Sequence, residues 1–200
     1  MKRTFRTIGI TALALAAAGT ATLAEPLPIP SSDYSTKGTM AGGMAVAYRH
    51  SNGKMRVEMK SPEMPQAMVG YFDIKTRMGV MVMSMPGMPP MAIETGLDGE
   101  GGAGVAGGNG QRVGSDRIAG EACDLWRFDA KTAEEKAMDG VACITPDGIV
   151  LRMVGTVQGK RQTIFEVTEL SRAPQDMKQL TPPANLKPMQ VPKGMMPPRK

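Results

Sequence analysis

Cys123 and Cys143 are the only cysteines in this 200-residue chain, and they constrain it more than any other feature. They lie in G-E-A-C-D-L-W-R-F (120–128) and V-A-C-I-T-P-D-G-I-V-L-R (141–152), beside the single tryptophan, Trp126. Both stretches read as strands, so a disulfide between them would tie two strands together. Closing a loop of about 20 residues is worth roughly 3 kcal/mol in the chain-entropy model. The alternative is a pair of buried free thiols. No C-x-x-C motif is present to suggest redox chemistry.

The start of the chain bears on that choice. Lys2, Arg3 and Arg6 precede an apolar run, Ile8 to Ala18, and Thr22-Leu23-Ala24 offers a cleavage site before Glu25. Residues 1–24 therefore read as a secretory signal peptide, too short and too rich in small residues to be a membrane span. No later apolar run is long enough to cross a bilayer. Export to the periplasm, or secretion, would favour a paired Cys123 and Cys143.

Export also changes the charge argument. The full chain has 24 basic and 19 acidic residues, a formal +5. Without the three basic residues of the signal the balance is +2, and from Met177 onward there are five basic residues and no acidic one. The body between is net acidic, so the high pI does not describe a nucleic-acid-binding face.

Hydropathy periods then divide the rest. Residues 25–38 read as an extended lead-in, 39–180 as a single β-rich domain, and 181–200 as a loose tail rich in Pro, Lys and Met. Lys54 to Lys60 alternates, with Met55, Val57 and Met59 inward, after the turn His50-Ser51-Asn52-Gly53; this predicts a hairpin with Met44 to Tyr48. Met68 to Ile74 and Met78 to Met85 form a second hairpin. The latter is apolar on both faces, Val80 and Val82 on one and Met81, Met83 and Met85 on the other, which predicts cover on both sides. A short strand, Met91 to Thr95, follows the Pro86–Pro90 turn.

Residues 96–110 are mostly glycine and read as a mobile loop. Their G-x-G-x-x-G at Gly99, Gly101 and Gly104 lacks the strand before and helix after that dinucleotide binding needs. Five strands follow: Gln111–Ile118, Glu121–Asp129, Gly140–Thr145, Ile149–Gln158 and Arg161–Leu170. Lys131–Met138 is expected to form helical turns, and Pro174–Leu180 a short helix capped by Ser171. The fold class expected is mainly β: a curved antiparallel sheet or half-barrel of about eight to ten strands with one or two short helices.

Four stretches together resemble a known group: N-G-K-M-R-V-E-M (52–59), the methionine strand ending in Met85-Pro86, G-E-A-C-D-L-W (120–126) and C-I-T-P-D-G-I-V-L-R (143–152). They resemble secreted bacterial domains of unknown function related to the LolA-like (LolA/LppX/RseB-type) periplasmic half-barrels, over roughly residues 39–189. The resemblance implies a half-barrel with an apolar concave face, which in the better-known relatives holds lipid chains under helices. This chain has no long helical stretch to cover such a face. The resemblance carries no catalytic residues.

Methionine is the chain's main chemical peculiarity. Of 19 methionines, twelve lie between Met40 and Met91, while aromatics are only 4% of residues. Flexible, polarizable thioethers fill aromatic-poor cores or line adaptable grooves, and Met55, Met59, Met81, Met83 and Met85 are the groove candidates. Thioethers also suit Cu(I), with Met81, Met83, Met85, Met88 and Met91 as candidate ligands. His50 is expected in a solvated turn. As the only histidine it leaves little material for zinc sites or a Ser-His-Asp arrangement. Asp124, Asp129, Glu134, Glu135 and Asp139 lack calcium-loop spacing. Trp126 reads as a packing anchor, and the basic tail as solvated or touching anionic lipid or peptidoglycan.

Three readings remain: a non-catalytic module that binds lipid or an apolar segment of an envelope protein, a Cu(I) binder using residues 78–91, or a scaffold with no ligand. An enzyme is not expected, nor is a cofactor.

Overall fold

Alternation along Lys54–Lys60 sets the pattern of the molecule. Met55, Val57 and Met59 are buried, and Arg56, Glu58 and Lys60 between them are not, as a period of two requires of a strand with one covered face. The computed structural model describes residues 24–63, 66–97, 108–131, 137–157 and 159–189. It shows a mainly β fold, one curved, unclosed antiparallel sheet of 12 strands. In chain order these are β1 (Glu25–Pro26), β2 (Tyr34–Met40), β3 (Met44–Ser51), β4 (Lys54–Lys60), β5 (Met68–Asp73) and β6 (Met78–Met83). The remainder are β7 (Met91–Gly96), β8 (Asn109–Ile118), β9 (Glu121–Lys131), β10 (Ala137–Ile144), β11 (Val150–Val157) and β12 (Lys160–Ser171).

The sheet order is β1-β8-β9-β10-β11-β12-β2-β3-β4-β5-β6-β7. Two meanders, β2–β7 and β8–β12, are therefore joined edge to edge where β12 pairs with β2. Short turns set the register within each. Between β3 and β4, Asn52 and Gly53 both have positive φ (49° and 76°), the backbone a two-residue hairpin needs. Most of the glycine loop expected over residues 96–110 lies outside the described residues; its ends, Gly96 and Asn109–Gly110, belong to β7 and β8.

Three local expectations are not met. The lead-in contains β2, the strand at the seam of the sheet. Its inward positions are Tyr34, Thr36 and Gly38, too polar or too small for a hydropathy pattern to flag. Gly38 is required there, because a Cβ would sit 2.3 Å from the Glu166 carbonyl oxygen. The helical turns expected over 131–138 are replaced at both ends by strand, with Ala137 opposite Lys131; residues 132–136 lie outside the described residues. At Lys131, Ala137 and Met138 cross-strand pairing overrides the local preference for helix.

The helix expected over 174–180 is also absent, and no described residue is helical. Ser171 ends β12 instead of capping a helix. Gln179 N–H donates to Asp176 O (2.9 Å) and Leu180 N–H to Met177 O (3.2 Å), so the segment folds as turns. Proline at 174, 182 and 183 leaves too short a run to propagate a helix. Leu180 is 1% exposed, held against the sheet. Residues of the tail reach the far edge, where Met189 N–H donates to Ala92 O (2.8 Å) and Glu94 N–H to Met189 O (3.1 Å).

Two apolar clusters form the core. The larger includes Val46, Met55, Val57, Met59, Phe72, Leu151, Phe165, Val167 and both cysteines. The smaller is Leu27, Trp126, Phe128, Ala142 and Ile144, and Val150 and Met153 pack against both. Cys123 and Cys143 form a disulfide with Cα atoms 5.4 Å apart. Because Cys143 faces Leu125, two residues from Cys123, the bond runs diagonally between β9 and β10. A disulfide fits an oxidising compartment.

The lead-in also spans half of the sheet. β1 pairs with β8 and β2 with β12, six strand spacings apart in the sheet order, or about 29 Å at ~4.8 Å each. Pro26 to Tyr34 reaches about 26–29 Å when fully extended. On the way Leu27 packs on Trp126 and Ala142, and Ser31 N–H donates to Asp147 O (3.0 Å). A strap with so little slack fits a sheet that curves toward it. No helix among the described residues is long and apolar enough to cross a membrane.

Candidate functional site: the methionine end of the concave face

Directly paired residues point to the same side of a sheet, so the register assembles the site. One cross-strand row runs Trp126–Ala142–Met153–Phe165–Met40–Met44. It places the strap-covered face of the second meander and the core face of the first on one concave surface. The next row runs Val46–Met59–Met68, and Met83–Met91 lies in line with it on β6 and β7. A third runs Tyr48–Val57–Gly70–Met81–Ile93, and a fourth His50–Met55–Phe72–Gly79–Thr95.

Two glycines shape this surface. A Cβ at Gly70 would lie 2.5 Å from the Phe72 ring and 2.8 Å from Met81 Sδ. One at Gly79 would lie 2.3 Å from the same ring. The ring of Phe72 and the sulfur of Met81 therefore lie flat across bare backbone on neighbouring strands.

The methionines differ in burial from one part of the face to another. Met55 and Met59 are core, at 3% and 8% exposed. Met40, Met44, Met68 and Met81 are half-buried and pack against that core. Met83 and Met91, paired at the end of β6 and β7, are half-buried. In the turn beyond them Met88 N–H donates to Met85 O (3.2 Å), and Met85 and Met88 are 38% and 52% exposed. The expected groove candidates thus divide into core (Met55, Met59), half-covered wall (Met81, Met83) and open rim (Met85). Met40, Met44, Met68 and Met153 share the face but were not singled out from sequence; their signal is register, which needs the pairing partners.

The second apolar face of β6 has its own cover. Val80 lines a cleft of about 400 Å³ with Tyr71 and Glu94 from the sheet and Leu180, Thr181 and Pro182 from the C-terminal segment. A larger cleft, about 730 Å³, lies on the other side of that segment, between Arg56 and Tyr71 and residues 177–183. The Arg56 guanidinium sits 5.8 Å from the Tyr71 ring centroid and pairs with Glu58.

The titratable groups of the concave face are committed to structure. His50, expected in a solvated turn, is 2% exposed. It stacks on Tyr34 at 5.3 Å. Its Nε2 accepts from Gly53 N–H (3.2 Å) and its Nδ1 meets Ser32 O (2.8 Å), so Nδ1 carries the proton. Burial next to the strap is the reason: the strap supplies the acceptor that a free turn would lack. Tyr48 stands edge-on to Phe165 at 5.3 Å, and burial pushes its phenol up to about 12. Burial raises Tyr34 further. The surface therefore offers apolar contact and soft sulfur, with its phenols held protonated.

The strongest polar cluster lies where both arms leave the sheet. Asp147 accepts from Ser32 Oγ (2.7 Å), Thr145 Oγ1 (2.6 Å) and Arg172 Nε (2.9 Å). Arg172 also pairs with Glu121 (3.0 Å). Hydrogen bonding from Arg172, and then from Thr145 and Ser32, holds the Asp147 carboxyl well below the usual carboxylate range against its partial burial. Every group in this cluster has a partner inside the protein, which marks it as a clamp. Among the described residues no set of three or more His, Cys, Asp or Glu converges as a metal site.

No protein-family model matches the chain, and none of the curated proteins compared with it matches.

Proposed function

We propose that this protein is an exported, periplasmic, non-catalytic binding module of the LolA-like half-barrel kind, whose methionine-lined concave face takes a lipid-like ligand or an apolar segment of an envelope protein. The observation that carries this reading is the fall in burial from Met55 and Met59 through Met81 and Met83 on one face to Met85 and Met88 in the turn at its end. A closed core would bury all of them. Unbranched thioether side chains adapt to apolar partners of differing shape. The disulfide and the N-terminal apolar run support export.

Native mass spectrometry of protein released from the periplasm, together with titration by the apolar dye Nile red, tests the reading. Bound lipid, or saturable dye binding lost in Met81→Asp with Met83→Asp, is the expected result. Protein that carries no lipid and binds no dye would leave only a scaffold.

One observation favours Cu(I) as a second reading. Met83 and Met91 are direct cross-strand partners, which brings their Cβ atoms to about 5 Å, and Met85 and Met88 rim the turn between them. Thioether sets of this kind suit Cu(I). It predicts uptake against a Cu(I) chelator that is lost when Met83, Met85, Met88 and Met91 are changed together to Leu. A chelator that keeps all its copper disposes of it.

A further inference from the structure

Among the described residues, eight large hydrophobic side chains are exposed, and five of them are methionine: Met78, Met85, Met88, Met177 and Met189. An apolar rim needs only apolar carbon, which Leu or Ile would supply. What methionine adds at an exposed position is a sulfur that two-electron oxidants reach. We propose that Met85 and Met88 are an oxidation site, and that their conversion to sulfoxide closes the apolar face to its ligand; this rests on the binding reading above.

The chemistry is self-contained once a peroxide is supplied. A sulfur lone pair attacks one peroxide oxygen. The S–O bond forms as the O–O bond breaks, and the other oxygen leaves with the transferred proton as water. Sulfur loses two electrons and the peroxide gains them. The product turns a flexible apolar side chain into a polar, chiral one.

Position decides which sulfurs react and how their oxidation alters binding. Met85 and Met88 sit in the β6–β7 turn, beyond the half-buried Met83 and Met91 of the concave face. Met55 and Met59 lie at its sealed end, 3% and 8% exposed. Oxidation therefore reaches Met85 and Met88, together with the exposed Met78, Met177 and Met189, before it reaches the core. A sulfoxide at the entrance keeps its water, so an apolar ligand would have to strip that water without replacing its hydrogen bonds.

The test treats the purified disulfide-bonded protein with two equivalents of hydrogen peroxide. Sulfoxides are located by peptide mass mapping, and Nile red affinity is measured before and after. The expected result is sulfoxide at Met85 and Met88 ahead of Met55 and Met59, with dye affinity falling roughly tenfold. Met85→Leu with Met88→Leu should bind dye with an affinity that no longer responds to peroxide. Equal oxidation of Met55 and Met59, or undiminished dye binding by the oxidised wild type, overturns the switch alone. Absence of dye binding before any peroxide overturns the binding reading, and the switch with it.

Discussion

The two meanders solve the same packing problem with different side chains. In β8–β12 the large buried positions are mostly branched or aromatic: Leu151 is 0% exposed, Ile144 1%, and Trp126 and Phe128 are sealed by Leu27 of the strap, over the small Ala142. A disulfide and the Asp147–Arg172 clamp fix that half further. In β2–β7 the sealed core includes Val46, Met55, Val57, Met59 and Phe72, the half-buried positions around them include Met40, Met44, Met68, Met81, Met83 and Met91, and the β6–β7 turn is exposed at Met85 and Met88. Branched side chains with few rotamers specify one arrangement; thioethers leave several open. One half is built as a frame, and the other as a surface that gives.

The contrast is sharpest in large-to-small substitutions. Leu151→Ala should cost about 4 kcal/mol, since a fully buried leucine leaves a cavity. Met81→Ala, half-buried, should cost no more than about 2 kcal/mol, because its neighbours can close over it. Urea denaturation of both variants would measure this, and equal losses would mean that the halves are equally packed.

Removing the disulfide should cost about 3 kcal/mol in the chain-entropy model, read as the gap between denaturation curves with and without reductant. A gap near zero would deny the frame its clamp. At the seam, Gly38→Ala should cost about 2 kcal/mol. Its Cβ would meet the Glu166 backbone, which cannot swing aside as a side chain can. Hydrogen exchange should then rise first along β2 and β12; a uniform rise would mean that the halves do not part there.

The smallest effect concerns pH. The folded state holds the Asp147 carboxyl below its unfolded value of about 3.9. Its contribution is therefore complete above that value and is lost as pH falls below it. Asp147→Asn should lower stability by about 1–2 kcal/mol near pH 7. The melting temperature of the variant should fall less steeply than the wild type's below pH 4. Parallel acid limbs for the two proteins would show that the clamp does not govern acid unfolding.

Strands with one wet and one dry face were legible in the sequence, as at Met55, Val57 and Met59, and so was the Asn52-Gly53 hairpin. Strand β2 was not, because Thr36 and Gly38 take their inward positions from what β12 presents to them. At the described ends of 131–138 a partner strand outweighs the local preference for helix, and over 174–180 the flanking prolines leave a run too short to propagate one. His50 was misjudged because a turn is solvated only until another segment, here Ser32 on the strap, lies over it. Of the site, the methionines of β6 were visible as a cluster. Their alignment with Met40, Met44 and Met153 was not, since register belongs to pairs of strands.

By itself the sequence determined the class of fold, the turn between β3 and β4, the one available disulfide and the concentration of thioethers, because each is a property of neighbouring residues or of residue type. The tertiary structure alone decided that β2 meets β12 in mid-sheet, that the strap crosses from one edge of the sheet to that seam, and that the methionines range from sealed on the face to open in the turn at its end. Those outcomes depend on distances between segments far apart in the chain, which pairing and burial set only when the whole sheet has formed.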